Sequence, residues 1–273
     1  MRPGRLSTLR TGEIDLWYVD LDQPDLSPIA LWHVLSPDEQ TRALRMMSSV
    51  HRRRYIAAHG GARKILARYL RVDAAEVPIV TSPSGKPSIG MGTPSQGIEF
   101  NQSHCGRWFV VSVARGRRVG VDIEQVRQVP ERDAIAARWF TSKELTEYRR
   151  CDESRRSRMF FEIWTRKEAY LKATGEGICH SLGDVEAPLG PQCMERSSSS
   201  KPRLLCAGCW SVFDASPSEE NVVGLVVEGQ PVIIRRCIGG DRLGAKGHAN
   251  AVLDLQLQDG PMRDGARQGR YGI

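Results

Sequence analysis

One pattern occurs twice in this 273-residue chain, and it constrains the fold more than any other feature. The stretch "EIDLWYVDLD" (13–22) alternates like a β-strand and ends in acids. Leu35 is then followed by Ser36-Pro37-Asp38-Glu39, in which serine is the N-cap and proline takes the first helical position. Glutamate three residues after the serine closes a capping box. A long helix is expected next, over about residues 52–70. The plan returns at "VGVDIE" (119–124), another strand ending in acids. Phe140 precedes Thr141-Ser142-Lys143-Glu144, a second capping box, and a second long helix carries Phe160, Ile163, Trp164 and Leu171 along one apolar stripe. This repetition predicts an α+β fold of two similar halves in a pseudo-two-fold arrangement, with a site at the seam. The expected divisions are residues 1–117, residues 118–237 and a flexible tail over 238–273.

Between these units, "FNQSHCGRWFVVSVARGRRVGVDIE" (100–124) reads as two strands joined by a turn at Arg115-Gly116. Residues 210–214 and 221–229 read as closing strands, 190–202 as a Ser-rich loop, and 250–257 as a short element within the tail. Hydrophobic residues make up 40% and charged residues 26%, which suits a globular protein. No apolar run approaches the ~18–20 residues of a membrane span. The first ten residues are basic, with no apolar core behind them to make a secretory leader, so the expected location is the cytoplasm. Seven irregularly spaced cysteines argue against a disulfide framework, and the single C-x-x-C at Cys206 and Cys209 lacks the second pair that structural zinc requires. The net charge of +7 favours an acidic partner: nucleic acid, a phosphorylated small molecule or an acidic protein.

Several residues could carry chemistry. On a strand, Asp122 and Glu124 point to the same side and repel each other, so they require solvent, an arginine or a hard cation such as Mg²⁺. Glu168 and Lys172 share a helix face, either as an i,i+4 surface pair or as charges aimed at a ligand. Lys167 lies inside the apolar stripe, where it must snorkel or meet an anion. Glu144 is explained by the capping box alone. Ser103 and His104 suit anion binding better than acyl transfer, because no G-x-S-x-G elbow is present. Lys86 sits on a Gly-Lys-Pro turn that is not a phosphate-cradling Walker loop, and Arg52, Arg53 and Arg54 open the first long helix as a basic face. Carboxylates that suit magnesium, beside cations that suit phosphates, are the equipment of phosphoryl-group chemistry.

The motifs Gly85-Lys86-Pro87, "FNQSH" followed by Gly106, "VGVDIE", "WFTSKE" and "WTRKEAYLKATGEG" resemble, in this order and spacing, the surfactin-synthetase-associated type of 4′-phosphopantetheinyl transferase. The resemblance spans roughly residues 13–230. It implies a monomeric, pseudo-dimeric α+β enzyme that binds coenzyme A and Mg²⁺ between its halves. Such an enzyme moves the phosphopantetheine arm onto a serine of an apo acyl or peptidyl carrier protein and releases adenosine 3′,5′-bisphosphate. By the same resemblance Asp122, Glu124 and Glu168 would hold the metal. Glu168, or a metal-bound water near Glu124, would take the serine proton, and Lys172 would neutralise the leaving phosphate. Ser103, His104, Lys86 and Arg54 would hold the nucleotide end, with Lys167 among the coenzyme-facing cations and Arg42 a weaker candidate upstream. Glu39 and Gln40 depart from the family's basic pattern, which puts the 3′-phosphate contacts in doubt.

The arginine-dense stretch "YRRCDESRRSR" (148–158) is expected to dock the acidic carrier. Two other readings of the same residues are a Mg²⁺-dependent hydrolase of a nucleotide or phosphate ester, and a basic nucleic-acid-binding protein. The second lacks a zinc finger, a helix-turn-helix and paired aromatics, so neither nucleic acid nor membrane is expected as a partner.

Overall fold

A computed structural model of the chain describes residues 9–23, 26–83, 85–90, 97–175, 182–187, 193–194, 210–229, 233–239 and 254–255. Most of the Ser-rich stretch, the Cys206/Cys209 pair and most of the expected tail lie outside the described residues. β1 (Glu13–Asp20) leads through α1 (Pro28–Trp32) and α2 (Pro37–Leu44) into the 22-residue α3 (Ser49–Leu70). β2 (Ile79–Thr81) and β3 (Pro87–Ile89) pair with each other, and β4 (Ile98–Cys105), β5 (Trp108–Arg115) and β6 (Val119–Gln125) follow. Next come α4 (Arg132–Trp139), α5 (Ser142–Arg150) and the 22-residue α6 (Glu153–Thr174). The last strands are β7 (Cys193–Met194), β8 (Trp210–Asp214), β9 (Asn221–Glu228), β10 (Ile233–Gly239) and β11 (Asp254–Leu255).

Two sheets stack face to face between the two long helices. The first has the order β11-β10-β1-β5-β4 and the second β6-β9-β8-β7. Ile65 and Leu66 of α3 pack with Val19, Val111 and Val113 on one face of the first sheet. The opposite face of that sheet contributes Ile14, Leu16 and Val110 to a middle layer shared with Val121, Val223 and Leu225 of the second. Phe160, Ile163 and Leu171 of α6 cover the far side, against Val212, Val222 and Val226. The expected apolar stripe is therefore the face that α6 buries, although Trp164 is only partly buried.

The internal repeat extends to individual atoms. In both capping boxes the side chain of the N-cap accepts from the N3 backbone, and the glutamate accepts from the N-cap backbone. Each capping glutamate also holds a cation from its long helix. Glu39 Oε2 accepts from Arg63 Nε at 2.7 Å, and Glu144 Oε2 accepts from Lys167 Nζ at 2.6 Å. Arg63 and Lys167 occupy the same position in their helices, counted from Ser49 and Glu153. Each then donates to a carbonyl beyond its helix, Val77 O at 2.8 Å and Val185 O at 2.6 Å. These contacts set the angle between each short helix and the long one that follows.

The strand plan differs from the sequence reading in two respects. Residues 98–125 form three strands rather than two, because Gly106, at φ 59°, closes a tight turn between β4 and β5 in which Cys105 faces Trp108. The second difference concerns the halves. β10 runs parallel to β1, pairing Glu13 with Ile233 through Val19 with Gly239, so the second half returns a strand to the first sheet. The expected boundary at 237 falls inside that strand. The acids of β1 explain the attachment: Arg235 Nε donates to Asp15 Oδ1 at 2.6 Å, its Nη1 lies 3.2 Å from Glu13, and Tyr69 OH donates to Asp15 Oδ2 at 2.6 Å. Glu13 and Asp15 are buried and paired.

Candidate active site

The site forms where α6 presses onto β6 and β9. Two glycines permit the close approach. A Cβ at Gly120 would stand 1.9 Å from the Ala169 carbonyl oxygen, and one at Gly224 would stand 2.6 Å from that of Thr165. Gly224 is the β9 partner of Asp122, so the helix backbone settles beside that carboxylate. Glu168 and Lys172, one turn apart on α6, thereby come down onto Asp122 and the edge strand β4.

β4 and β6 meet through side chains. Asn101 Oδ1 accepts from Val121 N at 3.1 Å, Ser103 Oγ donates to Asp122 Oδ1 at 2.7 Å, and Cys105 Sγ lies 3.6 Å from Glu124 Oε2. Lys172 Nζ donates to Asp122 Oδ1 at 2.6 Å and to Ser103 Oγ at 2.9 Å. Arg127 Nη1 donates to Glu124 Oε2 at 3.0 Å. Glu168 is 5% exposed, and its Oε1 is buried with no hydrogen-bond partner. Burial first, then the neighbouring Asp122 charge, push its carboxyl up to about 7 against the pull of Lys172; Glu124 adds a smaller push.

Among the described residues, no three His, Cys, Asp or Glu side chains converge closely enough to hold a metal ion. The three-carboxylate cage implied by the resemblance is thus not assembled in this arrangement. Asp122 is engaged by Lys172 and Glu124 by Arg127. Even so, the donor set suits a hard divalent cation. It is all carboxylate oxygen, drawn from one strand and one facing helix, and it includes an orphaned buried oxygen on Glu168.

Comparison with known proteins decides what the site belongs to. Residues 25–115 match the family model described as "4'-phosphopantetheinyl transferase, N-terminal", and residues 118–212 match the "4'-phosphopantetheinyl transferase superfamily". The 4'-phosphopantetheinyl transferase HetI of Nostoc sp. is 35% identical over 222 residues, covering 81% of this chain and 90% of that protein. The chain belongs to the 4′-phosphopantetheinyl transferase superfamily. The transferase is also similar to Sfp of Bacillus subtilis, 26% identical over 57% of this chain and 66% of that protein. The human L-aminoadipate-semialdehyde dehydrogenase-phosphopantetheinyl transferase is 28% identical over 58% of this chain and 53% of that protein. The chain is an enzyme that transfers the phosphopantetheine moiety of coenzyme A to a carrier protein. The hydrolytic reading of the same carboxylates gives way to transfer.

The remaining residues singled out from the sequence divide into three groups. Ser103 and Lys172 join the carboxylate cluster directly. His104 is next to it on β4; desolvation of its ring, then the charges of Lys172 and His59, hold it below the usual imidazole range. Lys86 reaches across from the Gly85 turn and donates to the Ala173 carbonyl at 2.8 Å, satisfying one of the free carbonyls at the end of α6. Arg54 is engaged elsewhere, by a two-pronged pair to Asp22 at 2.9 and 2.5 Å, and no described contact joins it to the carboxylates.

Lys167 requires a correction. Its side chain is 0% exposed and ends on Glu144 and the Val185 carbonyl, so it does not face coenzyme. The anion that a lysine in the apolar stripe must meet is internal. Two neighbours of the site carried no sequence signal: Arg127, beyond the end of β6, and His59, on α3 in the same half as His104. Asn101 lies within the FNQSH motif, and its part in joining β4 to Val121 of β6 is visible only in the fold.

Proposed function

We propose that the transferase uses Mg²⁺ and delivers the phosphopantetheine arm to the serine hydroxyl of an apo acyl or peptidyl carrier protein, releasing adenosine 3′,5′-bisphosphate. The observation that carries this reading is the buried Glu168 carboxylate, one oxygen unsatisfied, set against Asp122 and Lys172 at the seam. Asp122, Glu124 and Glu168 would hold the metal, which supplies charge neutralisation to the pyrophosphate of coenzyme A. Glu168, or a water held near Glu124, would accept the serine proton. Lys172 is within reach of the same cluster and neutralises charge growing on the leaving phosphate. Ser103, His104 and Lys86 line the nucleotide end, with Arg54 farther along the first half.

The carrier approaches over the α5–α6 junction. Arg149, Arg150 and Arg155 are exposed there, whereas Arg156 and Arg158 are committed to Glu153 and Glu162. Arg150 and Arg155 border a surface cavity of about 410 Å³ that Cys151, Met159, Glu147 and Glu162 also line, so its rim carries both signs of charge. Among the described residues no helix is long and apolar enough to cross a membrane. The reading includes action as a monomer in the cytoplasm.

The test is to mix the protein with coenzyme A, Mg²⁺ and a panel of apo carrier proteins, and to weigh the carriers by mass spectrometry. A carrier mass gain of one phosphopantetheinyl group, abolished by EDTA, is expected. Hydrolysis of coenzyme A with no carrier gaining mass would refute the proposal.

A further inference from the structure

We infer that Arg127 is a positioning residue of the carboxylate cluster: it is the resident counter-cation of Glu124, and a divalent ion must displace it before Glu124 can act with Asp122 and Glu168. The inference rests on the transferase reading of those three acids and adds a residue which that reading does not use.

The geometry singles out one oxygen. Glu124 Oε2 receives both Arg127 Nη1 at 3.0 Å and the Cys105 thiol at 3.6 Å. The same Nη1 donates to the Gln125 carbonyl at 3.2 Å, and the guanidinium carbon lies 5.0 Å from the centre of the Phe161 ring on α6. Backbone and ring therefore hold the arginine over the end of β6 independently of Glu124. Lys172 plays the matching part on Asp122 at 2.6 Å. Two of the three acids thus each carry a cation supplied by the chain itself, whereas Glu168 retains a buried oxygen with no hydrogen-bond partner. These cations let the acids coexist before any metal is bound, and both compete with a metal for the same oxygens.

The side chains of Arg127 and Glu124 are 53% and 25% exposed, so the competition is modest. An exposed pair of this kind corresponds to about a two- to fivefold change in affinity. The sign is the diagnostic. Removing a residue that merely supports the structure weakens metal binding, whereas removing a competing cation strengthens it.

The experiment titrates Mn²⁺ into the full-length protein without coenzyme A and follows the free-ion electron paramagnetic resonance signal. Arg127→Met is expected to bind Mn²⁺ about two- to fivefold more tightly than the parent, and Arg127→Lys to remain close to the parent. Unchanged or weaker binding by Arg127→Met would overturn the inference. Equal tightening by Arg127→Lys would overturn it as well, because a cation would still be present. Phosphopantetheinyl transfer that persists while no variant binds Mn²⁺ would remove the carboxylate site itself, and this inference with it.

Discussion

Glu168→Gln should make the metal-free protein more stable at alkaline pH while abolishing turnover. The Glu168 carboxyl is held near 7 in the folded protein, against an ordinary value of 4.5. The folded state therefore keeps a proton that the unfolded chain releases between about pH 4.5 and 7. Stability from this group is present below that window and is lost as pH rises through it. Above the window the ionised, buried carboxylate costs the fold about 3 kcal/mol, at ~1.4 kcal/mol per pH unit. A glutamine of the same shape carries no charge and escapes that cost. Urea unfolding in EDTA should show the variant about 1 kcal/mol more stable than the parent at pH 5.5 and about 3 kcal/mol more stable at pH 8. The comparison cancels the titrating groups that do not interact with Glu168. A gap that does not widen with pH, or a variant less stable at pH 8, would refute the idea that burial beside Asp122 strains this carboxylate.

Other perturbations separate scaffold from chemistry. Lys172→Met should lower kcat about 10²–10³-fold in the carrier-loading assay, since the lysine acts on developing charge, and should also cost some stability because it leaves the buried Asp122 without its cation. Lys167→Met should instead destabilise by about 3–5 kcal/mol in denaturant titration, because it strands the buried Glu144. Gly120→Ala should fail to give folded protein by circular dichroism, since its Cβ would stand 1.9 Å from the Ala169 carbonyl oxygen. Raising salt should weaken carrier binding more than coenzyme A binding in calorimetric titrations, because Arg149, Arg150 and Arg155 are exposed and screened.

Much of this protein is legible in its sequence because the relevant interactions are local. A capping box involves residues three apart, so Ser36/Glu39 and Thr141/Glu144 announce their helices directly. A strand places Asp122 and Glu124 on one side, and one helical turn places Glu168 beside Lys172, so the pairs are visible before any folding. Close spacing does not reveal which distant group answers a charge. Lys167 reads as a coenzyme contact until the packing of α5 against α6 supplies Glu144. Glu13 and Asp15 lie in a strand legible from its alternation, but the cation that answers them, Arg235, arrives only when β10 returns from much later in the chain. The cluster itself exists because two glycines on neighbouring strands let one helix approach their backbones, which sets the oxygens of Asp122 and Glu168 near each other. Local geometry thus selected the chemical groups, and long-range packing decided which of them share a dielectric environment and so act on one another.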